Sequence, residues 1–237
     1  MSSFVHLHVH SYYSLLDGTM SPEELVHQAK KLKFSHLALT DHNALYGAIE
    51  FYQIARRYKI HPIIGAEVTL RDESHLLLLV KNRSGYQHLC QILSIGHLRG
   101  GHLKFDLDLK DIIKHKEGLF ILSGGQQGKI WQLARQRKIK EAQTYCRQMK
   151  AAFEGNFYIE LHHHQSNDFL VNVRLRDLAV QHGIPLVASN NVHSLAPEDA
   201  TVRRVLHAID QNTLVDKIDH SGHHTQYLKP AAEMQKL

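Results

Sequence analysis

The sequence predicts an α/β fold in which a mostly parallel sheet is covered by helices. Three observations predict it. Short apolar strands alternate with amphipathic helices along most of the chain, the chemically versatile polar residues gather at strand ends, and 43% apolar with 22% charged residues is an ordinary globular composition. At 237 residues the chain fits one domain with a sizeable core. Six or seven strand–helix units favour a closed or nearly closed barrel, with an open doubly wound sheet as the alternative.

Residues 4–10, Phe-Val-His-Leu-His-Val-His, alternate strictly, which predicts a strand with Val5, Leu7 and Val9 on one face and His6, His8 and His10 on the other. Asp17-Gly18 supplies turn chemistry. Ser21-Pro22-Glu23-Glu24 reads as an N-cap, a proline at the first helical position and a capping box, opening a helix that runs to about Lys33. A second strand at 35–40 ends in Asp41-His42-Asn43, and a helix at 44–58 carries Leu45, Ile49, Tyr52 and Ala55 at helical spacing. A third strand, 61–70, bears Glu67. Only Arg71 to Ser74 separate it from His75-Leu-Leu-Leu-Leu-Val80, too few residues for a parallel crossover. That strand is therefore expected to run antiparallel, with His75 near the end of the strand bearing Glu67. Downstream, the pattern predicts a helix at 84–97, a loop at 99–106, and a strand at 118–123 ending in Ser123-Gly124-Gly125. Helices follow at 126–136 and 138–153, then a strand at 156–162 running into His162-His163-His164. A helix at 167–182, a strand at 184–189 leading to Asn190-Asn191-Val192-His193, and a helix at 197–210 close the series. Residues 1–210 are expected to form the main domain and 211–237 a C-terminal extension.

The composition excludes disorder, collagen and coiled coil as the main architecture. No apolar run is long enough to span a membrane, and the N-terminus has neither the basic start nor the apolar core of a signal peptide. Cys90 and Cys146 form no Cys-x-x-Cys, which predicts a reducing, cytoplasmic setting. Histidine is the outlier: 21 residues, where an even share among the residue types would be about 12. The net charge of +5, from 28 basic and 23 acidic residues, mildly favours an anionic partner.

His8 and His10 fall at the end of the first strand, Asp41-His42 at the end of the second, Glu67 near the end of the third, and Asn191 and His193 just after the last. In α/β folds the carboxyl ends of strands share one rim, where residues distant in sequence converge. His-x-His on a strand puts two imidazoles on one face, spaced to chelate an ion. Each element also has a plainer reading: Asp17 as a turn residue, Asp41 as a helix N-cap, His164 and His193 as surface histidines. Taken together, a mixed His, Asp and Glu set suits Zn, Mn or Fe, and ions held close together suit phosphate ester hydrolysis.

His-Leu-His-Val-His-Ser at 6–11, Ser14-Leu-Leu-Asp17-Gly18, Leu39-Thr-Asp-His42 and Pro62-Ile-Ile-Gly-Ala-Glu67 resemble the polymerase and histidinol phosphatase (PHP) family. The nearest branch is the N-terminal PHP domain of bacterial DNA polymerase III alpha subunits. Leu45-Tyr-Gly-Ala-Ile-Glu-Phe-Tyr52, Ala188-Ser-Asn-Asn-Val-His193 and Gln226-Tyr-Leu-Lys-Pro-Ala-Ala-Glu-Met234 extend the resemblance over essentially the whole chain.

The resemblance implies a distorted (βα)7 TIM-like barrel with a site for two to three divalent ions (Zn, Mn or Fe) at the C-terminal rim of the strands. It implies metal ligands at His8, His10, Asp17, His42, Glu67, His75, Asn191 and His193, with Asp17, His42 and His193 also catalytic, His6 outside the set and His164 a substrate or supporting contact. Two positions depart from the family pattern. Gly125 offers no donor where the family has Cys or His, and Asn191 stands where it has Asp. The implied activity is a metal-dependent phosphoesterase, specifically a proofreading 3′–5′ exonuclease acting on DNA 3′ ends beside a polymerase core or replisome subunits, with no membrane partner. The alternatives are a structural docking domain with a partly decayed metal site and a free-standing small-molecule phosphatase. The chain itself is expected not to polymerise DNA, and is either a fragment of a longer polypeptide or a separate gene product.

Overall fold

The computed structural model describes residues 4–101, 104–219 and 222–236. Residues 1–3 of the N-terminus, 102 and 103 of the expected 99–106 loop, and 220, 221 and 237 of the expected extension lie outside the described residues. In chain order the elements are α1 (Pro22–Lys31), β1 (His36–Leu39), α2 (Ala48–Arg57), β2 (His61–Thr69), β3 (His75–Val80), α3 (Arg83–Gly100), α4 (Leu109–Lys114) and β4 (Leu119–Leu122). They continue with α5 (Lys129–Arg135), α6 (Ile139–Phe153), β5 (Phe157–Leu161), α7 (Asp168–His182), β6 (Leu186–Ala188), α8 (Ala200–Asp210) and α9 (Ala231–Met234). Two compact units result: Met1–Ile64 with His163–Gln165 and Asn190–Leu237, and Gly65–His162 with Ser166–Ser189.

In the first unit, β1 pairs in parallel with the opening of β2, Leu37 opposite Pro62 and Leu39 opposite Ile64. The segment 4–10, expected as a strand, forms only a single bridge, Val9 to Val192. It still runs beside β1, because Ala38 N–H donates to the His6 carbonyl and Thr40 N–H to that of Val9. The Thr40 side chain completes the attachment, accepting from Val9 N–H and donating to Val9 O. On the other side His10 N–H donates to Val192 O and Val192 N–H to His8 O. His6, His8 and His10 are fully buried; on the opposite face Val9 is fully buried in the apolar core, whereas Val5 and Leu7 are half-buried.

Helix α1 starts as its sequence requires. Ser21 caps the Glu24 N–H, and the Glu24 carboxylate accepts from the Ser21 N–H. Its Leu25, Val26 and Ala29 pack with Phe34, Leu37, Phe51, Val192 and Leu228 in one apolar core. Helix α2 starts later than expected, at Ala48, and buries Ala48, Phe51 and Ala55 while Ile49 and Tyr52 face solvent. Leu228 and Ala231, from the expected extension, lie in the same core.

In the second unit, the rest of β2 pairs antiparallel with β3, Glu67 opposite Leu77 and Thr69 opposite His75, as the short connection requires. β3 pairs antiparallel with β4, and β4, β5 and β6 follow in parallel. Among the described residues there are six strands, not the seven of a (βα)7 barrel, because 4–10 contributes a bridge rather than a ladder. Leu76 to Leu79 are all buried, as expected of a strand covered on both faces.

His6 packs edge-on against Phe4 and Phe34 and donates from Nε2 to the Lys229 carbonyl at 2.9 Å. Burial lowers its pKa to about 4, partly offset by that carbonyl bond and reinforced by the Lys229 charge. The unfolded chain then binds a proton here that the folded chain does not. Stability is therefore lost as pH falls from about 6.5 toward 4, by up to about 1.4 kcal/mol per pH unit from this group. Urea midpoints measured between about pH 7 and pH 5 are expected to fall less steeply in His6→Gln than in the parent. An unchanged slope would contradict this assignment.

Candidate metal centre

The predicted ligands are divided between the two units. His8, His10, Asp17, His42, Asn191 and His193 belong to the first; Glu67 and His75 belong to the second. In the first unit the hydrogen bonds of the 4–10 segment to β1 and Val192 carry His10 between the His42 and His193 rings. His10 stacks on His193 with centroids 4.3 Å apart and planes 5° apart, and on His42 at 4.2 Å and 29°. His8 lies next to it, centroids 5.1 Å apart. One ring nitrogen from each of His10, His42 and His193 falls within 4.8 Å of the other two. Three imidazoles so gathered are a donor set that fits a borderline divalent ion.

Asp17 is the hub of this cluster. Its Oδ2 lies 2.9 Å from His42 Nε2 and 3.1 Å from His193 Nδ1, and its Oδ1 accepts from Arg203 Nε at 2.6 Å and lies 2.7 Å from His207 Nε2. Burial alone would raise the Asp17 carboxyl, but the facing His193 and hydrogen bonds from His193, His207 and His42 hold it well below the usual carboxylate range. Burial, then the nearby Arg203 charge, push His193 down to about 3 against the pull of Asp17. His193 is thus neutral near pH 7, the form in which imidazole ligates. Arg203 and His207 come from α8, and neither stood out in the sequence. Arg203 also donates to the Gln226 side chain.

Asp41 does not cap α2, whose N-cap is Gly47. Its carboxylate accepts from Ser11 N–H at 2.6 Å, from Ser11 Oγ at 2.9 Å and from Ser14 Oγ at 2.7 Å, while burial raises its pKa. Ser14 Oγ in turn lies 3.0 Å from His10 Nδ1 and accepts from His42 N–H. Asp41 and Ser14 therefore fix the orientation of His10, an indirect role the sequence did not reveal. Asn191 adopts a left-handed backbone, φ 45°, and its Oδ1 lies 3.0 Å from His193 Nε2. His164 is buried, with Nδ1 3.0 Å from Thr225 Oγ1.

In the second unit, His75 Nδ1 lies 3.1 Å from Glu67 Oε1, the juxtaposition expected from the short β2–β3 connection. A second buried pair was not foreseen. His162 Nε2 lies 3.2 Å from Glu160 Oε1, which also accepts from Ser189 Oγ. Gly125 is buried with φ 51°.

Residues 6–164 match the PHP domain family. DNA polymerase III subunit alpha of Borreliella burgdorferi is 38% identical over 220 residues, covering 86% of this chain and 19% of that protein. The Bacillus subtilis subunit of the same name is 34% identical over 99% of this chain and 21% of its own length. An error-prone DNA polymerase of Symbiobacterium thermophilum is 35% identical over 98% of this chain and 23% of its own length. The chain thus spans about a fifth of the length of these polymerase relatives. Among solved structures, a protein from Bifidobacterium adolescentis assigned as a metal-dependent phosphoesterase matches with TM-score 0.56 and 15% identity over 80% of this chain and 87% of that one. A lesion-specific endonuclease from Pyrococcus furiosus matches with TM-score 0.52 and 15% identity over 82% and 49%. The α/β fold is that of PHP metal-dependent phosphoesterases, and the chain belongs to the PHP domain family. No helix among the described residues is long and apolar enough to cross a membrane.

Asp17→Asn removes the carboxylate facing the buried Arg203 cation. It is expected to lower unfolding free energy by about 3 kcal/mol in denaturant titrations, with much of the loss recovered in Asp17→Asn/Arg203→Met. Full stability in the single variant would show that Asp17 is not the counter-ion of this cluster.

Proposed function

We propose that the chain is a metal-dependent phosphoesterase that removes nucleotides from DNA 3′ ends. The observation that carries this reading is the stacked His10, His42 and His193 imidazoles beside an Asp17 held in its ionised form. Membership of the PHP family and kinship with polymerase subunits support it. The residues that would hold two to three divalent ions, Zn, Mn or Fe, are His8, His10, Asp17, His42, Glu67, His75, Asn191 and His193. Bound ions would lower the pKa of a water and neutralise phosphate oxygens.

The protein's own groups have distinct tasks. Asp17, His42 and His193 form the catalytic group: the Asp17 carboxylate contributes negative charge and accepts from His42 Nε2, with His193 Nδ1 3.1 Å away. His193, neutral at working pH, presents a lone pair rather than a proton. Ser14 and Asp41 hold His10 in register. Arg203 donates from Nε to Asp17 Oδ1 and holds it in place. The partners would be a DNA 3′ end and the polymerase core or other replisome subunits, in the cytoplasm. A related endonuclease solved with a 27-mer duplex bearing an abasic lesion supports a nucleic-acid substrate.

Asn191 and Gly125, which replace the family's Asp and its Cys or His, favour a second reading: a docking domain whose site has lost part of its chemistry.

The test is Mn- or Zn-dependent release of nucleotides from the 3′ end of single-stranded DNA by the full chain and by His8→Ala/His10→Ala. Release by the parent with loss of at least about 100-fold in the variant is expected for residues that hold the ions. Equal background in both, with no hydrolysis of small phosphate esters, would overturn the enzymatic reading in favour of the docking domain.

A further inference from the structure

The second unit has a buried His–Glu pair that the ligand set above does not use, next to a glycine where the family pattern has a donor. β4 and β5 run parallel, Ile121 opposite Phe157 and Leu122 opposite Tyr158, so their carboxyl ends emerge side by side. Ser123 N–H donates to Tyr158 O, and Glu160 N–H donates to Ser123 Oγ, extending that alignment beyond the ladder. Gly124-Gly125 leaves one end and His162 the other.

Both glycines are tightly confined. A Cβ on Gly124, φ 78°, would lie 2.2 Å from the His75 carbonyl oxygen. A Cβ on Gly125, φ 51°, would lie 1.9 Å from His162 Cε1, 2.3 Å from Nδ1 and 2.5 Å from Nε2. The His162 imidazole thus fills the volume that a side chain at position 125 would enter. The turn is also pinned between His162 and His75, itself 3.1 Å from Glu67. Two side chains cannot occupy this space, so positions 125 and 162 are alternative origins for one group.

The chemistry of the occupant is that of a ligand. His162 is 1% and Glu160 0% exposed. A carboxylate taken wholly out of water is costly without strong compensation, and an imidazole flanked by a carboxylate is the usual arrangement of a metal-bound histidine: the carboxylate orients the ring and raises its basicity. Glu160 faces Nε2, and the edge of the ring toward Gly125 is Cε1, with a nitrogen on either side of it.

We propose that His162 supplies the metal donor that Gly125 lacks, with Glu160 as its positioning residue, so that the departure at 125 is a relocation of a ligand rather than its loss. The proposal rests on the metal-dependent reading above only in requiring that the chain bind a divalent ion.

The test uses the full chain, stripped with chelator and reloaded with Zn(II) or Co(II). Bound metal is measured by mass spectrometry, and the Co(II) visible spectrum reports the coordination sphere. His162→Gln is expected to lose one equivalent of Zn(II) and to change the Co(II) bands. Glu160→Gln is expected to keep the stoichiometry but weaken binding by about 10- to 100-fold. Gly125→His is expected to gain no metal while His162 remains, whereas Gly125→His/His162→Gly is expected to match the parent. Parent stoichiometry and an unchanged Co(II) spectrum in His162→Gln would overturn this proposal alone. A parent that binds no divalent metal would overturn the enzymatic reading as well. Should His162→Gln fail to fold, judged by circular dichroism, the double variant decides: parent stoichiometry supports relocation, and one equivalent fewer overturns it.

Discussion

A carboxylate held among basic side chains organises the first unit. Asp17 meets His42, His193, Arg203 and His207, which come from the loop after β1, the chain after β6, and α8. Hydrophobic packing is non-directional and could not fix these groups in one geometry. An ionised, largely enclosed carboxylate can, because each approach it accepts is directional and each it lacks is penalised. Ser11, Ser14 and Asp41 repeat the device one layer out, and through Ser14 reach both His10 and His42.

This network explains why a chain with ordinary composition can bury so many histidines. Burial drives His6 and His193 toward the neutral form, which is also the ligating form of imidazole. Stability and metal chemistry therefore make the same demand here. They separate only where a histidine is held for structure alone, as at His6, whose ring serves the Lys229 carbonyl and two phenylalanines. In the second unit the constraint is steric instead. A side chain at Gly124 would meet the His75 carbonyl, and one at Gly125 would meet the His162 ring.

Much of this was legible in the sequence where local rules apply. Ser21 with Glu24 gave the start of α1, and the four residues between β2 and β3 forced the antiparallel pairing that sets His75 against Glu67. Alternation in 4–10 correctly put His6, His8 and His10 on a common face. It overstated the regularity, because the segment is held by hydrogen bonds to β1 on one side and Val192 on the other with only one bridge residue. Helical spacing picked Leu45, Ile49, Tyr52 and Ala55; Ala55 is buried, but Ile49 and Tyr52 are exposed and the buried stripe of α2 is Ala48, Phe51 and Ala55, since spacing alone does not say which face meets a core. Arg203 and His207 lie 186 and 190 residues from Asp17, a pairing no local pattern encodes. In His162-His163-His164 the last residue drew attention through family resemblance. The burial of His162 against Gly125 follows from the parallel alignment of β4 and β5, which only three-dimensional structure supplies.

The central claim is that the stacked imidazoles of the first unit hold a divalent ion. The most direct measurement is an anomalous difference map at the zinc edge from crystals of the full chain grown with Zn(II). A strong peak within bonding distance of His10, His42 and His193 is the predicted result. Well-ordered imidazoles with no peak among them, in crystals that carry zinc elsewhere, would contradict the account.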